Sequence, residues 1–172
     1  MRNSTLLLLF FILFFYGCGE DVYIPPGRPE DYNEPLVKAN RVVTKNESIQ
    51  IDQYIARRKW DMKETGTGLR YMIYKEGVGP KIRSGQLVSL KYKLYLLDGT
   101  LCYDSEKEGI KTFEVGHGGV ERGLEEGILL LNKDSKARFI LPSHLGWGLP
   151  GDGNKIPMKV ALVYDLEIID LK

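Results

Sequence analysis

The chain has 172 residues, enough for one ordinary domain with appendages, and 43% of them are hydrophobic, so a core can form unaided. Lysine and arginine number 24 against 23 acidic residues, a balance with no electrostatic reason to seek nucleic acid. Cysteine occurs only twice, which excludes a disulfide-built scaffold.

The N-terminal text MRNSTLLLLFFILFFYGC carries one basic residue, Arg2, then an unbroken apolar run from Leu6 to Tyr16 and a small residue before Cys18. The run is too short to cross a bilayer as an ordinary helix and suits the apolar stretch of an export signal over residues 1–17. A cysteine directly after the cleavage point resembles a bacterial lipoprotein box, with Phe15 and Tyr16 bulkier than usual there. The resemblance implies that the Cys18 thiol is acylated, by palmitate or a similar chain, and anchors the protein to a membrane in the cell envelope. The plainer alternative is a secretory peptide in which Cys18 is incidental. With Cys18 acylated, Cys102 is alone.

Residues 18–43 hold four of the eight prolines and no sustained periodicity, and read as a tether. Thr44 and Glu47 fit a capping box, and Ile51, Tyr54, Ile55 and Met62 then recur on one side, so the spacing predicts a helix from about Asn46 to Met62 within a segment 44–64. The domain proper follows over 65–172. Leu69, Tyr71 and Ile73 alternate with polar neighbours, and LVSLKYKLYLLDGT predicts a long strand ending in an Asp98-Gly99 hairpin signal. Further strands are predicted over 100–104, 111–115, 135–141 and 159–171.

Between them, GGVERGLEEGILLL at 118–131 has Val120, Leu124, Ile128 and Leu131 at helical spacing, interrupted by Gly123 and Gly127. Each internal glycine costs an exposed helix roughly 1 kcal/mol against alanine. Gly119, Gly123 and Gly127 fall four apart and leave a bare stripe along which another backbone can come close. The predicted fold class is therefore α+β: an antiparallel twisted β-sheet wrapped around one short helix, with an extra N-terminal helix.

Several site chemistries fail on spacing. GHGGVE lacks the third glycine of a dinucleotide fingerprint and the lysine-serine of a P-loop. His117, His144 and Cys102 lie far apart, so no metal site and no cofactor is predicted. GDGN at 151–154 lacks the remaining ligands of a calcium loop and reads as a flexible loop.

Three blocks, VSLKYKLYLLDGTLCYDS, FEVGHGGVERGLEEGI and PSHLGWGLPGDGNKIPMKVALVYDLEII, resemble in order and spacing the core of FK506-binding-protein-type (FKBP-like) peptidyl-prolyl cis-trans isomerases over about 68–172. The lipoprotein box, the helix preceding the domain and the loop SHLGWGLPGDGNKIP from Ser143 are similar to lipoprotein isomerases associated with gliding motility. The resemblance implies an apolar aromatic bowl acting on X-Pro bonds of exported polypeptides, in a monomer whose partners are proline-containing clients and a membrane. It places the catalytic group at Tyr92, Tyr103, Asp104, Trp147 and Tyr164 and the substrate-binding group at Val120, Glu121, Leu124 and Ile156. It further implies that Asp104 partners Tyr92 or Tyr103, that the Trp147 N–H donates to substrate, and that the Glu121 side chain adds charge at the rim and favours basic peptides. The hydroxyls of Tyr103 and Tyr164 need partners. Each aromatic taken singly also fits a core strand, Asp104-Ser105 also fits the opening of a turn, and a non-catalytic binding or chaperone module of an envelope machine is the competing function.

Overall fold

The structure, a computed structural model, describes residues 29–172, with side chains from residue 34 onward. The export signal, Cys18 and the first part of the tether lie outside the described residues. The chain divides into two units, Met1–Ala39 and Asn40–Lys172. Of the first, only residues 29–39 are described, all helical.

Helix α1 spans Pro29–Arg58 and so begins well before the predicted Asn46. Proline is tolerated in the first helical turn, which Pro29 occupies, whereas Pro35 lies within the helix. The capping box is not formed. Thr44 sits mid-helix with its hydroxyl donating to the Asn40 carbonyl at 2.9 Å, the back-bonding habit of a helical threonine. Glu47 instead crosses to the second half of the chain, accepting from the Ser143 amide at 2.8 Å and its hydroxyl at 3.0 Å.

The strands are β1 (Lys63–Glu64), β2 (Arg70–Lys75), β3 (Val78–Lys81), β4 (Leu87–Leu96), β5 (Leu101–Asp104), β6 (Lys111–Glu114), β7 (Asn132–Lys133), β8 (Lys136–Leu141) and β9 (Leu162–Leu171). Helix α2 is the single turn Ser105–Glu108, and α3 is Arg122–Ile128. The main sheet is antiparallel in the order β1-β2-β8-β9-β4-β5, with β6 also on β4, while β3 and β7 pair separately. This is the α+β architecture that the alternation and the one late helix predicted.

Register sorts the side chains. Leu94 faces Tyr164 across β4–β9, and Tyr164 faces Phe139 across β9–β8, so all three project to one face. Their sequence neighbours Tyr95, Val163 and Ile140 are likewise in register and project to the other. The first face packs on α3 in the main core, and the second packs on Ile51 and Tyr54 of α1. Arg70, itself buried, adds a polar tie across that second interface: it donates to Ser48 at 2.8 Å and to Asp52 at 3.1 Å on α1, and pairs with Glu64 at 2.9 Å.

The glycines of α3 make the first interface possible. A Cβ on Gly127 would stand 2.4 Å from Phe139 Cε2, and one on Gly123 would stand 2.6 Å from Leu141 Cγ. Both glycines accommodate β8 side chains. Gly119 does not belong to the stripe: it precedes the helix at φ +89°, with nothing near its Cβ position. The helix is thus shorter at both ends than 118–131. Among the described residues no helix is long and apolar enough to cross a membrane.

Candidate active site

A hollow of about 310 Å³ opens where β4, β5, β6, the N-terminal end of α3 and the 146–155 loop meet. Tyr92, Leu94, Tyr103, Lys111, Glu121, Trp147, Asp152 and Asn154 line it. Period two along β4 points Tyr92 and Leu94 the same way, and Tyr103 stands opposite Leu94 on β5. Beneath them lies Tyr164, fully buried, its ring centroid 5.9 Å from that of Tyr92.

Glu121 is the centre of the polar arrangement. Its side chain is only 3% exposed, so it does not stand at the rim. Oε1 accepts the Tyr164 hydroxyl at 2.7 Å and the Trp147 indole N–H at 3.0 Å. Oε2 makes no hydrogen bond, and faces the Lys111 ammonium at 3.5 Å. Lys111 in turn donates to the Tyr164 hydroxyl at 3.3 Å and lies 5.0 Å from the centre of the Tyr92 ring and 5.7 Å from that of Tyr164. A buried carboxylate surrounded by donors and a cation is tolerable where a lone one is not. The Trp147 N–H is therefore engaged within the protein, contrary to the donor role implied for it.

The second polar cluster belongs to the loop. The Tyr103 hydroxyl donates to Asp152, whose Oδ1 also accepts the amides of Asn154 and Ile156, each at 2.8 Å. GDGN is thereby a loop whose Asp152 side chain is hydrogen-bonded within it and to Tyr103. Burial opposes ionisation of Asp152, but the Tyr103 hydroxyl and the two amides outweigh it and hold the carboxyl below the usual range. The phenols move the other way. The bond to Asp152, then burial, raises Tyr103. Burial, then the Glu121 charge, raises Tyr164 well above the ordinary value. Burial, then Glu108, Glu121 and Asp104, raises Tyr92. All three rings stay neutral at physiological pH.

Asp104 is elsewhere. Strand alternation sends it to the face opposite Tyr103, where it pairs with Lys93 at 3.3 Å and caps α2 by accepting the Glu106 amide at 2.9 Å. Its hydrogen-bond partner is neither Tyr92 nor Tyr103, and the turn-opening reading of Asp104-Ser105 is the one the structure contains. Leu124 is fully buried in the main core, Ile156 is buried beside it, and Val120 packs against the same cluster half-exposed. None of these three lines the hollow. Lys111 and Leu94 line it without having been singled out from the sequence, whereas Asp152 and Asn154 belong to the GDGN loop that the sequence reading sets beside the pocket. The one available signal was that the hydroxyls of Tyr103 and Tyr164 need partners, and both have them.

Residues 79–169 match the family model described as FKBP-type peptidyl-prolyl cis-trans isomerase. A curated protein of Neisseria meningitidis named as the probable FKBP-type peptidyl-prolyl cis-trans isomerase FkpA is 35% identical over 112 residues, covering 64% of this chain and 40% of that one. FkpA of Aeromonas hydrophila is 33% identical over 138 residues, covering 78% and 50%. The chain thus spans half or less of the length of these curated relatives. The crystal structure of AtFKBP13 superposes with a TM-score of 0.63 at 27% identity, covering 66% of this chain and all of that one. That of a Pseudomonas syringae isomerase, at 24% identity, has a TM-score of 0.65 over 77% and 95%, and speaks to the fold alone. With the family model spanning more than half its length, over the sheet and helix that frame the aromatic hollow, the chain belongs to the FKBP-type peptidyl-prolyl cis-trans isomerases, an enzyme family.

Proposed function

We propose that the chain catalyses cis-trans isomerisation of X-Pro peptide bonds in the hollow bounded by Tyr92, Tyr103 and Trp147 above Tyr164. Resonance holds the amide planar behind a barrier of roughly 18–20 kcal/mol, and no covalent bond needs to break for it to rotate. A catalyst need only bind the rotated amide more tightly than either planar form. The rotated amide has lost part of its charge separation, so a water-poor aromatic surface suits it better than the planar ground state. The observation that carries this reading is the placement of Tyr92, Leu94, Tyr103 and Trp147 around one opening over the buried Tyr164 ring.

The same reading takes the substrates to be exported or envelope polypeptides. It rests on the export-signal pattern of residues 1–17 and the acylation expected at Cys18, which together would make the protein a membrane-anchored lipoprotein facing the periplasm or exterior. The likeness to gliding-associated lipoprotein isomerases suggests an envelope machine as the setting. One observation favours a second reading, a binding or chaperone module: the hollow contains three charged groups, Lys111, Glu121 and Asp152, among its aromatic rings.

Isomerisation of a proline tetrapeptide, followed by protease coupling or by exchange spectroscopy, separates the two. Catalytic acceleration by sub-stoichiometric protein supports the isomerase; saturable peptide binding with no acceleration supports the module.

A further inference from the structure

We propose that Lys111 is a specificity-determining residue of this hollow, selecting an acidic side chain next to the substrate proline. The inference rests on the isomerase or peptide-binding reading above and deepens it by naming the substrate class.

The argument is an accounting of donors. The Trp147 N–H is used by Glu121, the Tyr103 O–H by Asp152, and the Tyr164 O–H by Glu121. Asn154 Nδ2 points to the Tyr103 oxygen at 3.4 Å. Among the lining side chains, three have donor capacity left: the second N–H of Asn154 Nδ2, the Tyr92 hydroxyl, which makes no hydrogen bond among the described residues, and the Lys111 ammonium, the one of the three that carries charge. An ammonium carries three N–H groups. One of Lys111's goes to Tyr164 at 3.3 Å and a second faces Glu121 Oε2 at 3.5 Å, which leaves a third.

Exposure then decides the sign. Glu121 is turned inward and 3% exposed, with Oε1 bound to two protein donors and Oε2 buried facing the ammonium, whereas the Lys111 side chain is 23% exposed. Asp152 directs its carboxylate at the Tyr103 hydroxyl and the Ile156 and Asn154 amides. The charge offered to a ligand at short range is therefore the more exposed cation, although Glu121, in contact with it at 3.5 Å, and Asp152 both oppose it. The preference for basic peptides implied by a rim-standing Glu121 is reversed.

The test uses the full chain in detergent and three tetrapeptides with Glu, Leu or Lys before proline, plus three with the same residues after it. Expected is a kcat/KM for an acidic peptide about two- to fivefold above its basic counterpart at low ionic strength, the range of a partly exposed ion pair. The ratio should fall toward one as salt is raised on the unmodified chain, fall likewise in Lys111→Met, and be retained in Lys111→Arg. A ratio of one or below in both series at low salt overturns the proposal. If no peptide is isomerised, the catalytic reading fails separately, and calorimetric affinities for the same peptides decide the charge preference by the same ratio.

Discussion

The indole N–H of Trp147 donates to Glu121 Oε1 at 3.0 Å, joining an exposed loop residue to the N-cap of α3 across the hollow. The same oxygen takes the Tyr164 hydroxyl, so one buried carboxylate fixes the two aromatic side chains that form the wall and floor. Glu121→Ala leaves the Tyr164 hydroxyl and the Lys111 ammonium without their partner, and should lower unfolding free energy by about 2–4 kcal/mol. Glu121→Gln, which keeps the acceptor, should lose less. Urea denaturation of the three proteins checks the order.

Gly127→Ala should destabilise even though alanine is the better helix former by roughly 1 kcal/mol. The new Cβ would meet three atoms of the Phe139 ring at 2.4 to 2.7 Å, and overpacking of a filled core costs about 1–3 kcal/mol, so the net loss after the propensity gain is up to about 2 kcal/mol. Gly66→Ala, with nothing within 4 Å, is the control, expected to stay within about 0.5 kcal/mol of the parent in the same melts.

Ile51→Ala should cost about 2–5 kcal/mol, the range for a large-to-small change at a fully buried site. The loss would show that the 40–58 part of α1 is integral to the domain, since Ile51 packs with Ile140 and Val163 of the sheet. A change below 0.5 kcal/mol in thermal unfolding, where about 0.5 is the ordinary surface scatter, contradicts this.

How far the sequence could be read depends on distance along the chain. Strand β4 was legible because VSLKYKL alternates over 88–94 and the run ends at Asp98-Gly99, and α3 because Val120, Leu124 and Ile128 recur at helical spacing. The start of α1 was not: prolines at 29 and 35 argue for extended chain, and only the structure shows helix through both. Asp104 was grouped with Tyr103 at the bowl, but strand alternation turns neighbouring residues to opposite faces, and the structure has Asp104 on Lys93 and the Glu106 amide. Glu121 was misjudged because a lone carboxylate is by default exposed. Its partners Lys111, Trp147 and Tyr164 come from three other segments, so nothing local announces that it is buried. Lys111, at the start of a strand, reads as an ordinary solvated end.

Asp104 carries a pH dependence of stability, not of turnover. The Glu106 amide exceeds the opposing effect of burial and, with Lys93 adding to it, holds the folded carboxyl below the usual range. A depressed folded pKa contributes stability that is present above the ordinary aspartate value, about 3.9, and disappears as pH falls through the folded value. Asp104→Ala should therefore be less stable than the parent at pH 7, with the gap closing in acid below about pH 4. Its turnover at pH 7 should match the parent. Denaturation midpoints between neutral and acid pH, with one rate at pH 7, check both.

Cys18→Ala should abolish acylation. Partition into the detergent phase on warming is expected for the parent and loss of that partition for the variant, provided the export signal is processed as its pattern implies.

The most direct test of the hollow is the isomerisation rate of a leucyl-proline peptide by the parent and by Trp147→Ala. Trp147 is 44% exposed, so its removal should spare the fold. The account predicts catalysis by the parent and at least about a tenfold lower kcat/KM in the variant, roughly 1.4 kcal/mol of transition-state stabilisation, with the unfolding midpoint little changed. Equal rates in the two folded proteins would contradict it.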